Sequence, residues 1–566
     1  MLAARIDLLP PGEKAALQAA AVIGRVFWAG PVRELLGGDA DFRLLEEREF
    51  VRRRAGSSLA GEEEYVIKHA LTREVAYTSL LKAKRAPLHA GFAEWLERAG
   101  EGEDEHVPLL AHHYAEAVRP ETLDLAWVGR EEEVERLCAK ALRWLRRAAE
   151  LAASRYEMDE ALALYHRALE LEAAPAERAE LWQRIGRANA LKFDGDAFWR
   201  AMEQAIELGG PEGELYAELA FQSTRRWGMW KRQPDASLIE GWIERALELT
   251  EEGSRERALA LYARSGWSED AAAARALAAV AERRGDPDLR SLALEELARR
   301  AWEAGEVARS RKLIGELFEL APRLADPDDR TRPLLDVIHG LIRVGDVAGA
   351  AKAAALNVEL TRGLTPHHRL HGAGMQIQVE TLAGRWERVD ELARRAERAV
   401  DENTGTPCPQ NVTTLLHCAL AATYRGDEAE AGRLEEKARA IGMEGWRFWF
   451  DPPRIRLALA RGDIDALPPL VEGAEPDAIE PPSALLDALV ALGDRKRIEA
   501  EAPKWLRPGT YAEPFALRAL GFARGDGKLV AQAVERFEAL GLAWHAEQTK
   551  EAGARSDQRW RSSIRR

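Results

Sequence analysis

Residues 141–175 read ALRWLRRAAELAASRYEMDEALALYHRALELEAAP, the clearest repeat unit in the sequence. Small residues recur at Ala148, Ala161 and Ala168, at spacings that place them on one face of two successive helices. Small side chains let two helices approach closely, while Tyr165 fills the gap to a neighbouring pair. The stretch therefore predicts a helical hairpin, that is, two antiparallel helices joined by a short turn.

The same rhythm continues towards the end of the chain, where a glycine and a polar residue separate apolar helical runs. A glycine can close one helix in the left-handed conformation, and an aspartate can cap the next helix. One hairpin cannot bury its own apolar face, so the units must stack. We therefore predict a mostly α protein in which residues 136–566 form an α-solenoid of helical hairpins. The pairs, with gaps of 20, 40, 39, 42, 36, 31 and 32 residues, are Gly285-Asp286, Gly305-Glu306, Gly345-Asp346, Gly384-Arg385, Gly426-Asp427, Gly462-Asp463, Gly493-Asp494 and Gly525-Asp526.

The first hundred residues mix helical and strand patterns. Three short helices precede two alternating segments around a Gly/Ser-rich loop, and that order is the outline of a winged helix. We predict a winged-helix-like domain over residues 1–100 and a helical linker over residues 101–135. The predicted elements are helices at 12–23, 31–36, 41–48, 71–81 and 88–98 and strands at 50–54 and 65–69.

Composition sets limits on the class of protein. The chain has 566 residues, of which 46% are hydrophobic and 31% charged, so it is globular but too long for one core. A net charge of -14 argues against a wide nucleic-acid-binding surface. Three cysteines without a CxxC pair argue against a disulfide framework and a thiolate zinc site. No apolar run reaches the roughly 18 residues of a membrane helix, and no signal segment is evident, so we expect a cytoplasmic protein.

The catalytic motifs that are most easily recognised are missing from the sequence. It contains no GxxxxGK[ST] phosphate loop, no GxSxG, no HExxH, and no GxGxxG between a strand and a helix. We therefore expect no enzymatic activity and no cofactor. An enzyme with an unrecognised site is one alternative, and the pair His367 and His371 is its only candidate.

Two histidine groups are candidate metal ligands. His367, His368 and His371 form an HHxxH cluster in which the outer two, four residues apart, can share a helix face. No acidic residue lies inside the motif, and Pro366 indicates the exposed first turn of a helix, so an exposed or partner-facing role is favoured over metal binding. His112 and His113 lie on an apolar helix, where packing is the favoured role.

Basic residues in the first hundred raise the question of nucleic acid. VRRR at 51–54 lies on the first predicted hairpin strand and KAKR follows at 82–85, so both could contact phosphates in a winged helix. Residues 1–100 nevertheless hold 15 basic and 14 acidic residues, which favours a solvated or intramolecular face. A DNA-binding transcription factor is therefore kept only as a second alternative.

The densest aromatic stretch is WRFWF at 446–450. Core packing between hairpins is its default role, and a groove for a peptide or small effector is the alternative. Since aromatic anchors bury large areas with few rotatable bonds, we predict a partner-binding role for Trp446, Phe448, Trp449 and Phe450. We expect Trp446 or Trp449 to be partly exposed, in a groove along the first helices of the hairpins.

Several stretches resemble known proteins. The segments LAARIDLL at 2–9, AAAVIGRVF at 19–27 and YVIKHALTREVAYTSL at 65–80 resemble the region after the ATPase core of STAND-type (AAA-related) signalling proteins. RAPLHAGFAEWLE at 85–97 continues that family's pattern, and AVERFEALG at 533–541 resembles its last helical unit. The hairpin at 141–175 is similar to a tetratricopeptide repeat, and the later units are tetratricopeptide-like.

The resemblance spans almost the whole chain and is strongest over residues 1–100 and 141–210. It implies a winged-helix module followed by a tetratricopeptide-like sensor, as in large LuxR-type transcriptional regulators and in proteins joined to an adenylate or guanylate cyclase. It implies a regulatory role in which a protein partner or effector binds the solenoid and an ATPase or cyclase domain responds. This sequence contains neither the ATPase core nor the cyclase or C-terminal DNA-binding domain, so none of the family's ATP-binding residues has a counterpart here.

Overall fold

The computed structural model divides the chain into two units, Met1–Ala188 and Asn189–Arg566. It describes residues 2–38, 40–99, 104–230, 232, 234–406, 408–443, 446–472 and 482–564, with side chains up to residue 554. Residue 100, where the first predicted domain ends, lies outside the described residues, and the predicted boundaries at 100 and 135 stay predictions. No described helix combines the length and the apolar character needed to cross a membrane.

The first unit begins with helices around a small antiparallel sheet. The strand order is β1-β3-β2, with Val26 opposite Val66 and Val51 opposite Ile67. The predicted helices and both predicted strands of this region are confirmed, but strand β1 was not expected. The elements are α1 (Leu2–Asp7), α2 (Pro11–Ile23), β1 (Val26–Trp28), α3 (Ala29–Leu36), α4 (Arg43–Glu47), β2 (Val51–Arg53), β3 (Glu64–Ile67), α5 (Ala70–Ser79) and α6 (Lys82–Ala99).

The remainder of the first unit is helical and contains the hairpin that the sequence predicts most clearly. Helix α9 packs along α10, and the small residues Ala148, Ala161 and Ala168 are buried at their interface. Tyr165 is 4% exposed, so it fills space beside the pair as expected. The hairpin prediction is confirmed. The helices are α7 (Val107–Ala117), α8 (Pro120–Ala126), α9 (Glu131–Ser154), α10 (Met158–Leu171) and α11 (Pro175–Leu191), the last of which runs across the division between the units.

The second unit is a stack of helical hairpins that follows helix α12 (Gly195–Glu207). Each first helix packs against the second helix of its own hairpin and against the first helix of the next hairpin. The first helices are α13 (Glu212–Arg225), α15 (Arg255–Ser268), α17 (Pro287–Glu303), α19 (Pro327–Arg343), α21 (Pro366–Leu382), α23 (Pro409–Tyr424), α25 (Arg447–Arg461), α27 (Ser483–Leu492) and α29 (Glu513–Arg524).

Each second helix packs against the first helix of its own hairpin. The second helices, also in chain order, are α14 (Ala236–Leu249), α16 (Ala271–Arg284), α18 (Val307–Leu320), α20 (Val347–Thr361), α22 (Trp386–Glu402), α24 (Glu428–Ile441), α26 (Leu467–Glu472), α28 (Arg495–Glu501) and α30 (Gly527–Ala539), and α31 (Ala543–Ile564) follows. Among the described residues, three short 3₁₀ helices lie between these elements: Trp227–Met229, Ala321–Arg323 and Ala502–Trp505.

The glycine–aspartate turns behave as predicted. Gly345 and Gly426 have φ of 80° and 78°, and the side chains of Asp346 and Asp427 accept backbone N–H groups in the first turn of the next helix. From Gly305 onwards each turn joins the two helices of one hairpin, whereas Gly285 joins the second helix of one hairpin to the first helix of the next. This explains the single gap of 20 residues, which is half a repeat.

The last hairpins pack back onto the middle of the stack. Arg507 donates to the carbonyl of Trp302 (3.1 Å) and the amide of Tyr511 donates to the carbonyl of Arg343 (3.3 Å). Trp544 packs edge-on against Trp386, with ring centroids 5.1 Å apart. One hydrophobic core therefore joins helices from α17 to α31.

Candidate partner-binding site

The predicted aromatic stretch lies at the start of a first helix. Trp446 directly precedes α25, and both Trp446 and Phe450 are 2% exposed, whereas Phe448 and Trp449 are half-buried. Trp227, from the 3₁₀ turn after α13, stacks on Phe448 with ring centroids 5.5 Å apart and meets Trp449 edge-on at 5.9 Å. The four rings of Trp227, Trp446, Phe448 and Trp449 form what we call the aromatic cluster.

The aromatic cluster combines a packed base with an accessible rim. The buried ring of Trp446 forms the base, and its centroid lies 5.0 Å from that of Trp227. The expectation of an open groove along the first helices is wrong at α23, because every residue from Pro409 to Thr423 is buried. The stack is too tight there to leave a continuous concave surface. Phe448 and Trp449, at the start of α25, are instead half-buried.

The end of α13 also contacts the start of α19 through charged side chains. Arg226 forms an ion pair with Asp328, and His368 Nε2 lies 2.9 Å from the other carboxylate oxygen of Asp328. Burial alone would raise the pKa of the Asp328 carboxyl, but Arg226 and His368 outweigh that effect and hold this pKa below its usual range. The buried carboxylate therefore remains ionised and ties the residues before Trp227 to α19 and α21.

The HHxxH cluster is not on an exposed helix turn. Pro366 does begin α21, but His367 is only 8% exposed and its ring stacks on Phe193, with centroids 3.8 Å apart. His371 Nε2 lies 3.3 Å from the sulfur of Cys408, a residue that no sequence motif connected with the histidines. The expectation of an exposed position is thus wrong, because Phe193 and the start of α23 cover the first turn of α21.

This His–Cys contact does not resemble a catalytic pair. Burial raises the pKa of the Cys408 thiol to about 12 and lowers that of His371 to about 3. A nucleophilic cysteine needs a thiolate near neutral pH, usually beside an imidazolium. Neither charged form is favoured here, so the arrangement argues against thiol catalysis.

The inner faces of α15, α17 and α19 carry buried charges that the sequence analysis missed. Tyr262 donates to Glu295 (3.1 Å) and Ser265 donates to Glu296 (2.7 Å), while Arg332 pairs with Asp336 at 3.0 Å. Burial raises the pKa of Glu295 to about 7, although Arg225 opposes the rise. Charged residues interrupt the apolar stripe of α17 in the sequence. The same pattern is typical of a helix with a solvated face, so it did not identify these residues as buried.

Two of the cavities formed by the described residues of the second unit lie away from the aromatic cluster. The smaller, of about 30 Å³, is lined by Glu295, Arg299 and Asp336 among others and has room for little more than water. The larger, of about 550 Å³, lies between α22 and α24. Its charged groups pair with one another, as Arg425 does with Asp390 (2.9 Å).

The basic strand of the first unit engages acidic neighbours. Arg53 pairs with Glu63 at 2.6 Å, and Arg54 pairs with the buried Glu64. Arg52 and Arg53 remain exposed. These pairs favour the intramolecular role of the basic strand over contact with DNA.

The packing role predicted for the other histidine group is consistent with the burial of His113, which is 1% exposed, but it is wrong for His112, which is exposed. His89 Nδ1 lies 2.8 Å from His113 Nδ1, and the hydroxyl of Tyr77 lies 3.1 Å from His89 Nε2. Both nitrogens of His89 therefore have protein partners. Burial lowers the pKa of His89 to about 3, so this ring is neutral near neutral pH.

Comparison with known proteins gives distant similarities. No family model matches the chain. Over 113 residues, 19% of this chain, it is 34% identical to the urease accessory protein UreF of Rhizobium johnstonii, and the match covers 50% of that protein. The chain thus spans about half the length of the curated relative it matches.

Two solved structures of helical-repeat proteins are similar to this one. The first is a signal transduction ATPase with numerous domains (STAND) with a tetratricopeptide repeat sensor, from Pyrococcus horikoshii, at 13% identity and a TM-score of 0.38. It matches over 78% of this chain and 64% of its own, less than two thirds of its length. The second is a Rap protein complexed with competence and sporulation factor, at 11% identity and a TM-score of 0.33, over 64% of this chain and 93% of its own. Both scores are low, so neither likeness says what this chain binds.

Proposed function

We propose that the chain is a non-catalytic sensor module that binds a protein or peptide partner at the aromatic cluster. The observation that carries the proposal is the half-buried pair Phe448 and Trp449 beside Trp227, set on the buried Trp446. Partly exposed aromatic rings on a rigid base bury further area at little entropic cost when a partner covers them. The buried Arg226–Asp328 pair fixes the residue next to Trp227, so the rings are held in place before binding.

We further propose that this sensor belongs to a STAND-type signalling protein acting in the cytoplasm. Support comes from the sequence resemblance over residues 65–80 and from the element order of the first unit, in which α2, β1, α3, α4, β2 and β3 follow one another as in a winged helix. Partner binding would then shift the balance between two packings and pass the signal to an ATPase or cyclase domain. The hairpins would be the tetratricopeptide-like part of the sensor.

A peptide-display selection against the purified full chain tests the binding site. We expect enriched peptides with apolar anchor residues that bind with micromolar affinity, since a short peptide orders on binding. Trp449→Ala or Trp227→Ala should weaken binding at least about tenfold, as truncation of an aromatic anchor does. Isothermal titration calorimetry measures the affinity of each variant.

Trp386→Ala is the matched control for this experiment. Trp386 is also half-buried and also stacks on an aromatic ring, that of Tyr424 at 4.3 Å, but it lies outside the aromatic cluster. Its loss should leave peptide affinity unchanged. Peptides that bind equally well to the Trp449 and Trp227 variants, or a selection that enriches nothing, would refute this site.

The signalling context is tested by the coding sequence immediately upstream of Met1. We expect it to encode a GxxxxGK[ST] phosphate loop, the element that this sequence lacks. Unrelated coding sequences on both sides would argue against a STAND origin. That result would leave the binding site itself untouched.

A further inference from the structure

We propose that His367, His371 and Cys408 form a binding site for a borderline divalent metal ion, with Zn²⁺ as the natural occupant. Among the described residues, one ligand atom from each of these three side chains lies within 4.8 Å of the other two. Two imidazoles and one thiol are the ligand types that zinc prefers. This site is independent of the proposed partner binding, because it uses none of the four aromatic rings.

The distances suit a tetrahedral ion. With Zn–N near 2.0 Å and Zn–S near 2.3 Å, a tetrahedral site separates its nitrogen and sulfur ligands by roughly 3.5 Å. His371 Nε2 and Cys408 Sγ are 3.3 Å apart, and the rings of His367 and His371 are 4.4 Å apart between centroids. An ion therefore fits with small side-chain adjustments. Three protein ligands leave the fourth position open for water or for a group from a partner.

The backbone holds the three ligands in position. His367 and His371 are one helical turn apart on α21, a spacing that places them on the same face. Cys408 is the residue that precedes α23, so its sulfur lies at the positive end of a 16-residue helix. The backbone N–H groups of Gln410 and Asn411 also point at that sulfur. Such groups stabilise a metal-bound thiolate and act as the outer layer of a metal site.

A second observation points to a missing ligand. The Nδ1 atom of His367 is buried and has no hydrogen-bond partner within the described part of the chain. Only 8% of the surface of His367 is exposed, and Phe193 stacks on its ring. Buried polar nitrogens are rarely left without a partner in native proteins. A bound metal ion explains why two imidazole rings meet a thiol in an enclosed place.

The other group of three histidines serves as the comparison. His89, His112 and His113 also lie close together, but His89 already uses both nitrogens on Tyr77 and His113, and the group contains no sulfur. A metal held there would bind through nitrogen alone. The two groups are therefore distinguishable by the presence of sulfur in the coordination sphere.

Cobalt(II) titration of the full chain, prepared without a polyhistidine tag and stripped with chelator, tests the proposal. We expect one equivalent of Co²⁺ to bind with a sulfur-to-cobalt charge-transfer absorption, and Zn²⁺ to displace it. Cys408→Ser should abolish that absorption and weaken binding about 100-fold or more, as loss of a ligand exceeds the effect of losing an outer-layer group. Metal analysis after Zn²⁺ loading and desalting should find one Zn²⁺ per chain.

Cys418→Ser is the matched control, because Cys418 is a buried thiol inside α23, the helix that Cys408 precedes, and burial likewise raises its pKa to about 12. The Cys418→Ser variant should keep the sulfur-to-cobalt charge-transfer absorption. Absence of stoichiometric binding, an absorption that survives Cys408→Ser, or binding lost only in His113→Asn would each overturn the proposal. If Cys408→Ser does not fold by circular dichroism, X-ray absorption of the zinc-loaded wild type decides. One sulfur in the first coordination sphere supports the site, and nitrogen and oxygen alone refute it.

Discussion

Tyr511 donates a hydrogen bond from its phenolic hydroxyl to the carbonyl oxygen of Leu382, over 2.6 Å and across 129 residues of chain. His545 Nε2 lies 3.1 Å from the same carbonyl. Leu382 is the last residue of α21, where the helix leaves its carbonyl groups without intrahelical partners. Two side chains from the last part of the stack therefore cap the C-terminal end of α21, a helix in the middle of the stack.

Tyr511→Phe should lower the free energy of unfolding by about 1 kcal/mol, the net contribution of a buried hydrogen bond. Chemical denaturation measures the change. The ring itself is fully buried and stays in place in the variant, so packing is retained. Tyr424→Phe, at a ring that is 38% exposed, is the control and should change stability little. Equal effects in the two variants would mean that the bond to Leu382 contributes nothing.

Gly345→Ala and Gly426→Ala separate backbone strain from close packing. Both glycines have a positive φ, which alone makes alanine unfavourable by about 1–2 kcal/mol. A Cβ atom at Gly426 meets open space, whereas at Gly345 it would collide with the carbonyl oxygen of Gly509. We therefore expect Gly345→Ala to lower the free energy of unfolding by at least about 3 kcal/mol, clearly more than Gly426→Ala. Similar losses for both would show that the contact with Gly509 is unimportant.

The Arg226–Asp328 pair should behave as a buried ion pair. Asp328→Asn leaves the Arg226 guanidinium without its carboxylate in an enclosed place, so we expect a loss of about 3–5 kcal/mol in the free energy of unfolding. Arg226→Met combined with Asp328→Asn should lose less than the two single changes added together. A double-mutant cycle by denaturation measures this coupling. Strict additivity would contradict a direct interaction.

Glu295→Gln should stabilise the protein increasingly as the pH rises from 4.5 to about 7, and fully above that range. The pKa of Glu295 is raised from 4.5 to about 7, first by burial, so the folded protein keeps a proton that the unfolded chain releases above pH 4.5. The wild type therefore loses stability as the pH rises from 4.5 to about 7, at up to about 1.4 kcal/mol per pH unit. Glutamine has no such titration and can still accept from Tyr262. We expect it to be more stable by about 1–3 kcal/mol at pH 8 and no more stable at pH 4.

Denaturation curves of both proteins across this pH range measure the difference. A gap between wild type and Glu295→Gln that does not change with pH would show that Glu295 titrates normally. Tyr262→Phe with Glu295→Gln then tells whether the hydroxyl donor stabilises the neutral acid.

Local patterns were sufficient for most of the hairpins. The turns at Gly345 and Gly426 need only a left-handed glycine and a capping aspartate, and both signals lie within a few residues of one another. Strand β1 was missed because three residues, Val26–Trp28, show no period of their own and become a strand only by pairing with β3.

The parts of the site that the sequence did not predict depend on contacts between residues far apart in the sequence. Trp227 meets Trp449 across more than two hundred residues, and Cys408 reaches His371 across 37. Hydrophobic periodicity describes one helix face and carries no information about which later helix will cover it. For the same reason Pro366 correctly marked a helix start, while the burial of His367 under Phe193 could not be inferred.

An open stack of hairpins can grow during evolution by duplication of one unit, because each unit touches only its neighbours. In this chain the contact between Gly345 and Gly509 links units that are far apart in the order of the stack. An inserted or deleted hairpin between those residues would separate them and leave the carbonyl of Leu382 without Tyr511. Selection on this protein should therefore act on the number of hairpins as well as on their sequences, and natural relatives should vary in loop length rather than in repeat number.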